Sequence, residues 1–219
     1  MTKTNQQKVK DFLINNGVII VMFILVIYTG FTSDNFFTKN NFMNILMNMS
    51  SRLVIALGIA GCVITAGCDL SAGRMIGFGA CISGMLLQRM DYSGKFFPDM
   101  QPLNVFVVAL IAMLVCAAFG TVTGFFIAYL NVPPFIATLA MMEIVYGIGL
   151  IVTNATPLGG YVEQYTNVSN GKFLGINYLI WIAIIVAAIT WFIFNMTRHG
   201  KYMYAIGGNP QAAEVAGVP

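Results

Sequence analysis

The sequence predicts an all-α membrane protein, a polytopic bundle of about six transmembrane helices, some of them interrupted. Composition is the first reason: 58% of the residues are hydrophobic and only 9% are charged, whereas about a quarter of the residues of a soluble domain carry charge. The second reason is that the charges separate long apolar runs, and a helix needs about 20 residues to cross a bilayer. We therefore treat residues 1–219 as one transmembrane domain.

The first half of the chain supplies three predicted spans. Phe12–Ser33 carries no charge and no signal-peptide cleavage site follows it, so it is the first span. Asp34–Asn48 is amphipathic and rich in asparagine, which favours a helix along the outer interface before the next crossing. Leu53–Cys68 and Met75–Gln88 are the second and third spans, and both are short.

The second half of the chain supplies three more predicted spans. The uncharged stretch Gln101–Met142 is interrupted at Pro133 and Pro134, which divide it into the fourth and fifth spans. Asn154–Asn177 is a polar outer loop that could dock an extracytoplasmic partner or could simply be solvated. Phe173–Thr197 is the sixth span.

The basic residues indicate the orientation weakly. With the amino terminus inside, six crossings return the end of the chain to the cytoplasm, and basic clusters flank both ends of the membrane region. The residues placed inside are Lys3, Lys8, Lys10, Arg74, Arg198 and Lys201, and those placed outside are Lys39, Arg52, Arg89, Lys95 and Lys172.

Other classes of protein find little support. The net charge of +3 is small and scattered, so nucleic acid is not an expected partner. An intramembrane hydrolase would need a histidine at the depth of its serine, but the only histidine, His199, lies at the membrane surface. The cysteines have no metal-binding or redox spacing and are expected to be packing residues; they are Cys62, Cys68, Cys81 and Cys116.

The sequence between the second and third spans, Asp69–Arg74, is the strongest intramembrane candidate. Interrupted spans place polar groups along a pathway, so Asp69, Ser71 and Arg74 are candidates for a translocation pathway or hinge. The alternative is an ordinary cytoplasmic turn in which Asp69 and Ser71 cap the next helix. An ion pair between Asp69 and Arg74 is compatible with both interpretations.

Glu143 is the second intramembrane candidate, about 13 Å into the fifth span at about 1.5 Å per residue. A carboxyl group at this depth is costly unless it faces a cavity or a partner, which suggests a pathway role. The alternative, which we favour, is a protonated or hydrogen-bonded glutamate packed between helices. Pro133 and Pro134 are further hinge candidates.

The polar segment Thr197–Pro219 follows the sixth span and predicts a short, stiff helix that faces a soluble partner. Asn209 is a good N-cap, and Pro210 suits the first helical position. Gln211–Ala216 favours helix and Gly217 favours its left-handed end. A helix lying on the lipid surface is the alternative, but the segment lacks the large apolar face and the positive charge that this requires.

Two glycines, Gly207 and Gly208, precede the cap and are predicted to form the turn that reorients the chain. Ala212, Ala213 and Ala216 present small side chains that could seat in a groove of the partner. Glu214 could meet a basic residue there or remain solvated.

Three sequence blocks resemble the permease subunits of bacterial ABC importers for ribose, galactose, xylose and related sugars. They are Cys62–Arg74 (CVITAGCDLSAGR), Ala128–Ile148 (AYLNVPPFIATLAMMEIVYGI) and Thr197–Gly217 (TRHGKYMYAIGGNPQAAEVAG), with Leu86–Pro98 as a weaker fourth. The similarity covers almost the whole chain, and the last block is the most specific.

The resemblance implies a transport subunit of the bacterial inner membrane rather than an enzyme. It implies galactose or methyl galactoside as the first candidate substrate and ribose as the second. The expected partners are an ATP-binding subunit, an extracytoplasmic sugar-binding protein and a second permease copy. This chain would bind no cofactor, since ATP belongs to the partner. The block 197–219 would contact that ATPase, through Gly207–Gly217.

Two features depart from the family pattern. The position of Glu143 is usually uncharged in the family, which argues against a shared role. Family members also continue with further spans, so we expect this sequence to be a fragment or a truncated form. An ion-gradient-driven secondary transporter or channel, with Asp69 or Glu143 carrying protons, is the alternative function.

Overall fold

Helices account for most of the computed structural model, which describes residues 13, 14 and 16–218. The elements in this part of the chain are α1 (Gly17–Thr32), α2 (Lys39–Ile64), α3 (Ala72–Leu86), α4 (Val105–Leu130), α5 (Pro134–Val152), α6 (Glu163–Asn170), β1 (Lys172–Phe173), β2 (Ile176–Asn177), α7 (Tyr178–Met196), α8 (Arg198–Gly208) and α9 (Pro210–Val215).

The predicted all-helical membrane fold is confirmed. Among the described residues, α2, α4, α5 and α7 are long and apolar enough to cross a membrane, and α1 and α3 are shorter apolar helices. These six helices correspond to the six predicted spans, although Phe12, the predicted start of the first, lies outside the described residues. Most of their large apolar side chains are exposed, as is expected of surfaces that face lipid or neighbouring helices.

The helices belong to two units, residues 1–48 and residues 49–219. In the first unit, the amide of Asn41 donates to the carbonyl oxygen of Phe36 at 2.8 Å and closes the turn after α1. The predicted separate interfacial helix over Asp34–Asn48 is wrong, because α2 runs without a break from Lys39 to Ile64. From Lys39 up to Gly58 the sequence contains no proline or glycine that would interrupt this helix.

The core of the second unit lies where α3, α4 and α5 meet. Its buried members are Phe78, Ile82, Ala112, Met141 and Val145. The ring of Phe78 also makes an edge-to-face contact with that of Phe119 on α4, with centroids 5.6 Å apart. Such pairs add about 1 kcal/mol beyond the area they bury, so α3 is fixed against both neighbours.

The break between α4 and α5 occurs where the two prolines predict it. Asn131 follows the last residue of α4 with φ 53°, in the left-handed region. The N–H of Val132 reaches back to the carbonyl oxygen of Phe126 at 3.1 Å. Pro133 is the N-cap and Pro134 the first residue of α5, where its missing N–H costs nothing.

The predicted outer loop over Asn154–Asn177 is more ordered than expected, since it contains α6 and the hairpin of β1 and β2. The buried side-chain amides of Gln88 and Asn177 hold this outer segment in place. Gln88 donates to the carbonyl oxygen of Gly159 at 3.0 Å and accepts from the N–H of Phe96 at 2.7 Å. Asn177 donates to the carbonyl oxygen of Ser169 at 2.6 Å. Burial raises the pKa of the Tyr161 phenol in the same segment, and electrostatic repulsion from Tyr165 adds to the increase.

Candidate functional site

The carboxy-terminal helix α9 has the local structure that its sequence predicts. The side chain of Asn209 accepts from the N–H of Ala212 at 3.0 Å, and Pro210 is the first helical residue. Gly217 has φ 77° just beyond the helix end, and the N–H of Val218 bonds the carbonyl oxygen of Ala213 at 3.0 Å. Both ends of this short helix are therefore capped within the segment itself.

The two glycines do not form the predicted turn, because Gly207 and Gly208 are the last residues of an additional helix, α8. The chain instead reorients at Asn209, the one extended residue between α8 and α9 (φ −159°, ψ 103°). An earlier turn follows α7, where the hydroxyl of Thr197 accepts from the N–H of Gly200. A β-carbon at Gly200 would collide with the carbonyl oxygen of Phe194, so this turn requires glycine.

Gly207 has a packing role. A β-carbon at this position would collide with the carbonyl oxygen of Ile64, the last residue of α2. One turn earlier on α8, the Met203 methyl group lies 2.8 Å from where a β-carbon on Gly61 would be. The glycines therefore let α8 lie close against the end of α2, whereas Gly208 faces open space.

The exposed face of α9 differs from the predicted one. Ala213 is only 4% exposed, so it packs within the chain instead of facing outward. Val215 is 91% exposed and, with Ala212 and Glu214, forms the outer surface. Sequence reasoning missed Val215; the available signal was a single large apolar residue in a polar, alanine-rich helix.

In the segment before α3, the side chain of Asp69 is hydrogen-bonded to Ser71, two residues later. One carboxylate oxygen accepts from the N–H of Ser71 at 2.8 Å and from its hydroxyl at 2.6 Å. Ser71 is buried and is the N-cap position of α3, although its own side chain does not cap the helix. Asp69 and Arg74 form no ion pair with each other in the part of the chain that the structure describes. Arg74 instead lies over the ring of Tyr146 on α5, 4.0 Å from its centroid.

Two contacts place the first turn of α3 well inside the helix bundle. Tyr146 lies about 18 Å from the first residue of α5 and about 9 Å from its last, at about 1.5 Å per residue. The Cys116 thiol lies 3.6 Å from the carbonyl oxygen of Met75, and Cys116 is close to the middle of α4. The contact with α5 and the contact with α4 give the same depth. The start of α3 is therefore level with the interiors of these two spans and not at a membrane surface.

Glu143 lies on α5 one helical turn before Tyr146. Its side chain is exposed and has no hydrogen-bond or ion-pair partner among residues 13, 14 and 16–218. Glu143 therefore does not pack between helices of the part of the chain that the structure describes, and its role stays a prediction. Pro133 and Pro134 lie in the tight turn before α5, and nothing in the structure tests them as a hinge.

In the described part of the chain, four helices able to cross a membrane and a half-length helix that starts among them define a multi-pass membrane protein. The chain belongs to the family described as branched-chain amino acid transport system / permease component, whose model matches residues 41–219. With its spanning helices, this makes it a multi-pass protein of the bacterial inner membrane.

The chain is 40% identical to the galactose/methyl galactoside import permease protein of Escherichia coli, over the whole of this chain and 67% of that protein. Identity to the protein of the same name from Haemophilus influenzae is also 40%, with the same coverage. The ribose import permease protein of Escherichia coli is 31% identical over 95% of this chain and 63% of that protein. No solved structure matches the chain.

Proposed function

We propose that this chain is the permease subunit of an ATP-driven importer that carries a monosaccharide into the cytoplasm. Galactose or a methyl galactoside is the first candidate and ribose the second. The observation that carries the proposal is the 40% identity, over the full chain, to galactose/methyl galactoside import permeases. The family description names branched-chain amino acids, so the substrate is the part that needs the most direct test.

ATP is hydrolysed by a separate ATP-binding subunit, and the segment Gly207–Gly217 couples to it. The geometry of α9 supports this role. The helix is capped at both ends, so it can act as a short rigid body. Val215 projects almost fully exposed from it, and a large exposed apolar residue beside small ones suits a partner's groove.

The contact between α8 and α2 supports a route for this coupling into the membrane. Gly207 lies directly against the carbonyl oxygen of Ile64, and the segment after Ile64 leads to the start of α3. A displacement of α8 and α9 by the ATPase therefore acts on the end of α2 and on the turn that Asp69 forms with the buried Ser71. In this proposal it shifts the subunit between outward-open and inward-open states, which is alternating access.

The outer segments support an extracytoplasmic partner, a sugar-binding protein. Gln88 and Asn177 are both 1% exposed, and each is hydrogen-bonded through both its amide nitrogen and its amide oxygen, which makes this side of the chain a stable platform. A second permease copy completes the assembly. No cofactor is bound by this chain in the proposal.

The test is uptake of radiolabelled D-galactose by the full-length subunit, reconstituted with the ATPase and the binding protein encoded beside it. We expect uptake that requires ATP and stops when the ATPase is inactivated. Uptake that persists without the ATPase and follows a proton gradient would instead support a secondary transporter. A binding protein that holds an amino acid and no sugar would refute the proposed substrate.

A further inference from the structure

A cavity of about 180 Å³ lies between α3 and α5, at the level where α3 begins. Arg74 lines it together with Tyr146, on whose ring the guanidinium stacks. Cys81 and Thr153 line the cavity further along the two helices. At about 30 Å³ for each water molecule, the volume corresponds to about six waters or one small polar solute.

Arg74 has free hydrogen-bonding capacity in this cavity. The face of its guanidinium lies over Tyr146, and in the described residues it makes no hydrogen bond or ion pair. The five N–H groups of the guanidinium are therefore available to donate hydrogen bonds to a ligand. A cation at this depth is costly unless water or a polar ligand solvates it. Arg74 is exposed, and the Tyr146 ring beneath its guanidinium is 41% exposed, so the cavity is open at this end.

The other walls combine apolar surface with small residues. Phe78 and Val145 are buried beside the cavity. Gly149 lies opposite Phe78, and even a β-carbon there would already be in van der Waals contact with its ring, at 3.6 Å. The hydroxyl of Thr153 donates to the carbonyl oxygen of Gly149 at 2.8 Å, so its oxygen remains available as an acceptor.

We propose that this cavity is a monosaccharide subsite on the translocation pathway, in which Arg74 donates hydrogen bonds to sugar hydroxyl groups. The sugar's C–H groups contact the apolar wall of Phe78 and Val145, and the Tyr146 ring holds the guanidinium in position. Among the described residues no carboxylate contacts the guanidinium, so its N–H groups can donate to the hydroxyl oxygens of an uncharged ligand. This inference rests on the proposed function and names residues of this chain that touch the transported sugar.

Cys81 allows a direct test, because it is a native thiol in the cavity wall. The full-length subunit is prepared with Cys62, Cys68, Cys116 and any later cysteine replaced by alanine, and assembled with its ATPase. It is then labelled with neutral, water-soluble hydroxyethyl methanethiosulfonate and followed by mass spectrometry. We expect Cys81 to react, and D-galactose but not L-galactose to slow the reaction several-fold. An unreactive Cys81, or one that galactose does not protect, would overturn the subsite.

The Arg74 contact is tested by uptake. Arg74→Lys keeps the charge but loses the planar donor group, and we expect uptake of D-galactose to fall about tenfold, as for loss of one charge-assisted hydrogen bond. The loss should shrink for the deoxygalactose that lacks the contacted hydroxyl, and galactose should no longer protect Cys81. The matched control is Ile144→Val, on α5 but outside the cavity.

Co-purification of the ATPase and the melting temperature in detergent show whether Arg74→Lys is assembled. An assembled variant that transports every sugar as the unmodified subunit does would refute the contact, as would an equal loss for all deoxy sugars. Failure of the proposed function is a separate outcome, since the unmodified complex would then take up no galactose.

Discussion

The starts of α3 and α9 use similar local chemistry in opposite surroundings. Each follows an Asp or Asn whose side-chain oxygen accepts from a nearby backbone N–H, from Ser71 in one case and Ala212 in the other. Asn209 is exposed and its helix presents Val215 outward, whereas Ser71 is buried and α3 begins level with the middle of α4. A similar hydrogen bond therefore begins an exposed helix in one place and a helix inside the bundle in the other.

The largest expected effect separates the buried and exposed sides of α9. Ala213→Asp places a charge at a buried position, which costs about 3 kcal/mol or more when no partner is present. We expect α9 to unfold locally, seen as faster hydrogen exchange over 198–218. Val215→Asp should leave that exchange unchanged but abolish co-purification of the ATPase.

The two substitutions sharpen the assignment of the outer face of α9. Normal ATPase binding by Val215→Asp would remove Val215 from the coupling surface and favour a helix that lies on lipid. Normal exchange in Ala213→Asp would show that Ala213 is not packed as the structure indicates.

Gly207 and Gly208 provide the next comparison, with a smaller expected effect. Gly207→Ala introduces a β-carbon against the backbone of Ile64, and forced overpacking costs about 1–3 kcal/mol. Gly208→Ala faces open space and should be neutral or gain up to about 1 kcal/mol from helix propensity. Thermal unfolding in detergent measures both.

The same pair tests the proposed route from the ATPase to the membrane. We expect Gly207→Ala to reduce sugar uptake per ATP hydrolysed, because α8 can no longer lie against α2, and Gly208→Ala to retain normal coupling. Equal coupling in the two variants would contradict that route.

The smallest effect concerns Asp69. Asp69→Asn keeps an oxygen that can accept from Ser71, so stability should change by less than about 1 kcal/mol and ATP-driven uptake should continue. Asp69→Ala loses the acceptor and should destabilise the turn. If Asp69→Asn abolished uptake while the subunit remained assembled, the charge itself would be required, as in a proton-coupled transporter.

Much of the fold follows from local patterns. The apolar runs predict six helices, and Pro133 and Pro134 separate α4 from α5 because proline cannot continue a helix. The candidate site was predicted less completely. Its residues at Asp69–Arg74 were identified, but the partner of Arg74 was not, since Tyr146 lies more than 70 residues away and no periodicity links the two.

The sequence by itself determined what depends on hydrogen bonds between close neighbours and on apolar composition: the membrane class, the capped helix after Asn209 and the break at the prolines. Only the tertiary structure decided which of two adjacent glycines is confined, which of two residues on α9 is exposed, and how deep α3 begins. These properties depend on contacts between distant helices, such as Gly207 against Ile64 and Arg74 over Tyr146. Two residues of the same type, such as Gly207 and Gly208, then differ in environment, because close packing restricts one and leaves its neighbour free.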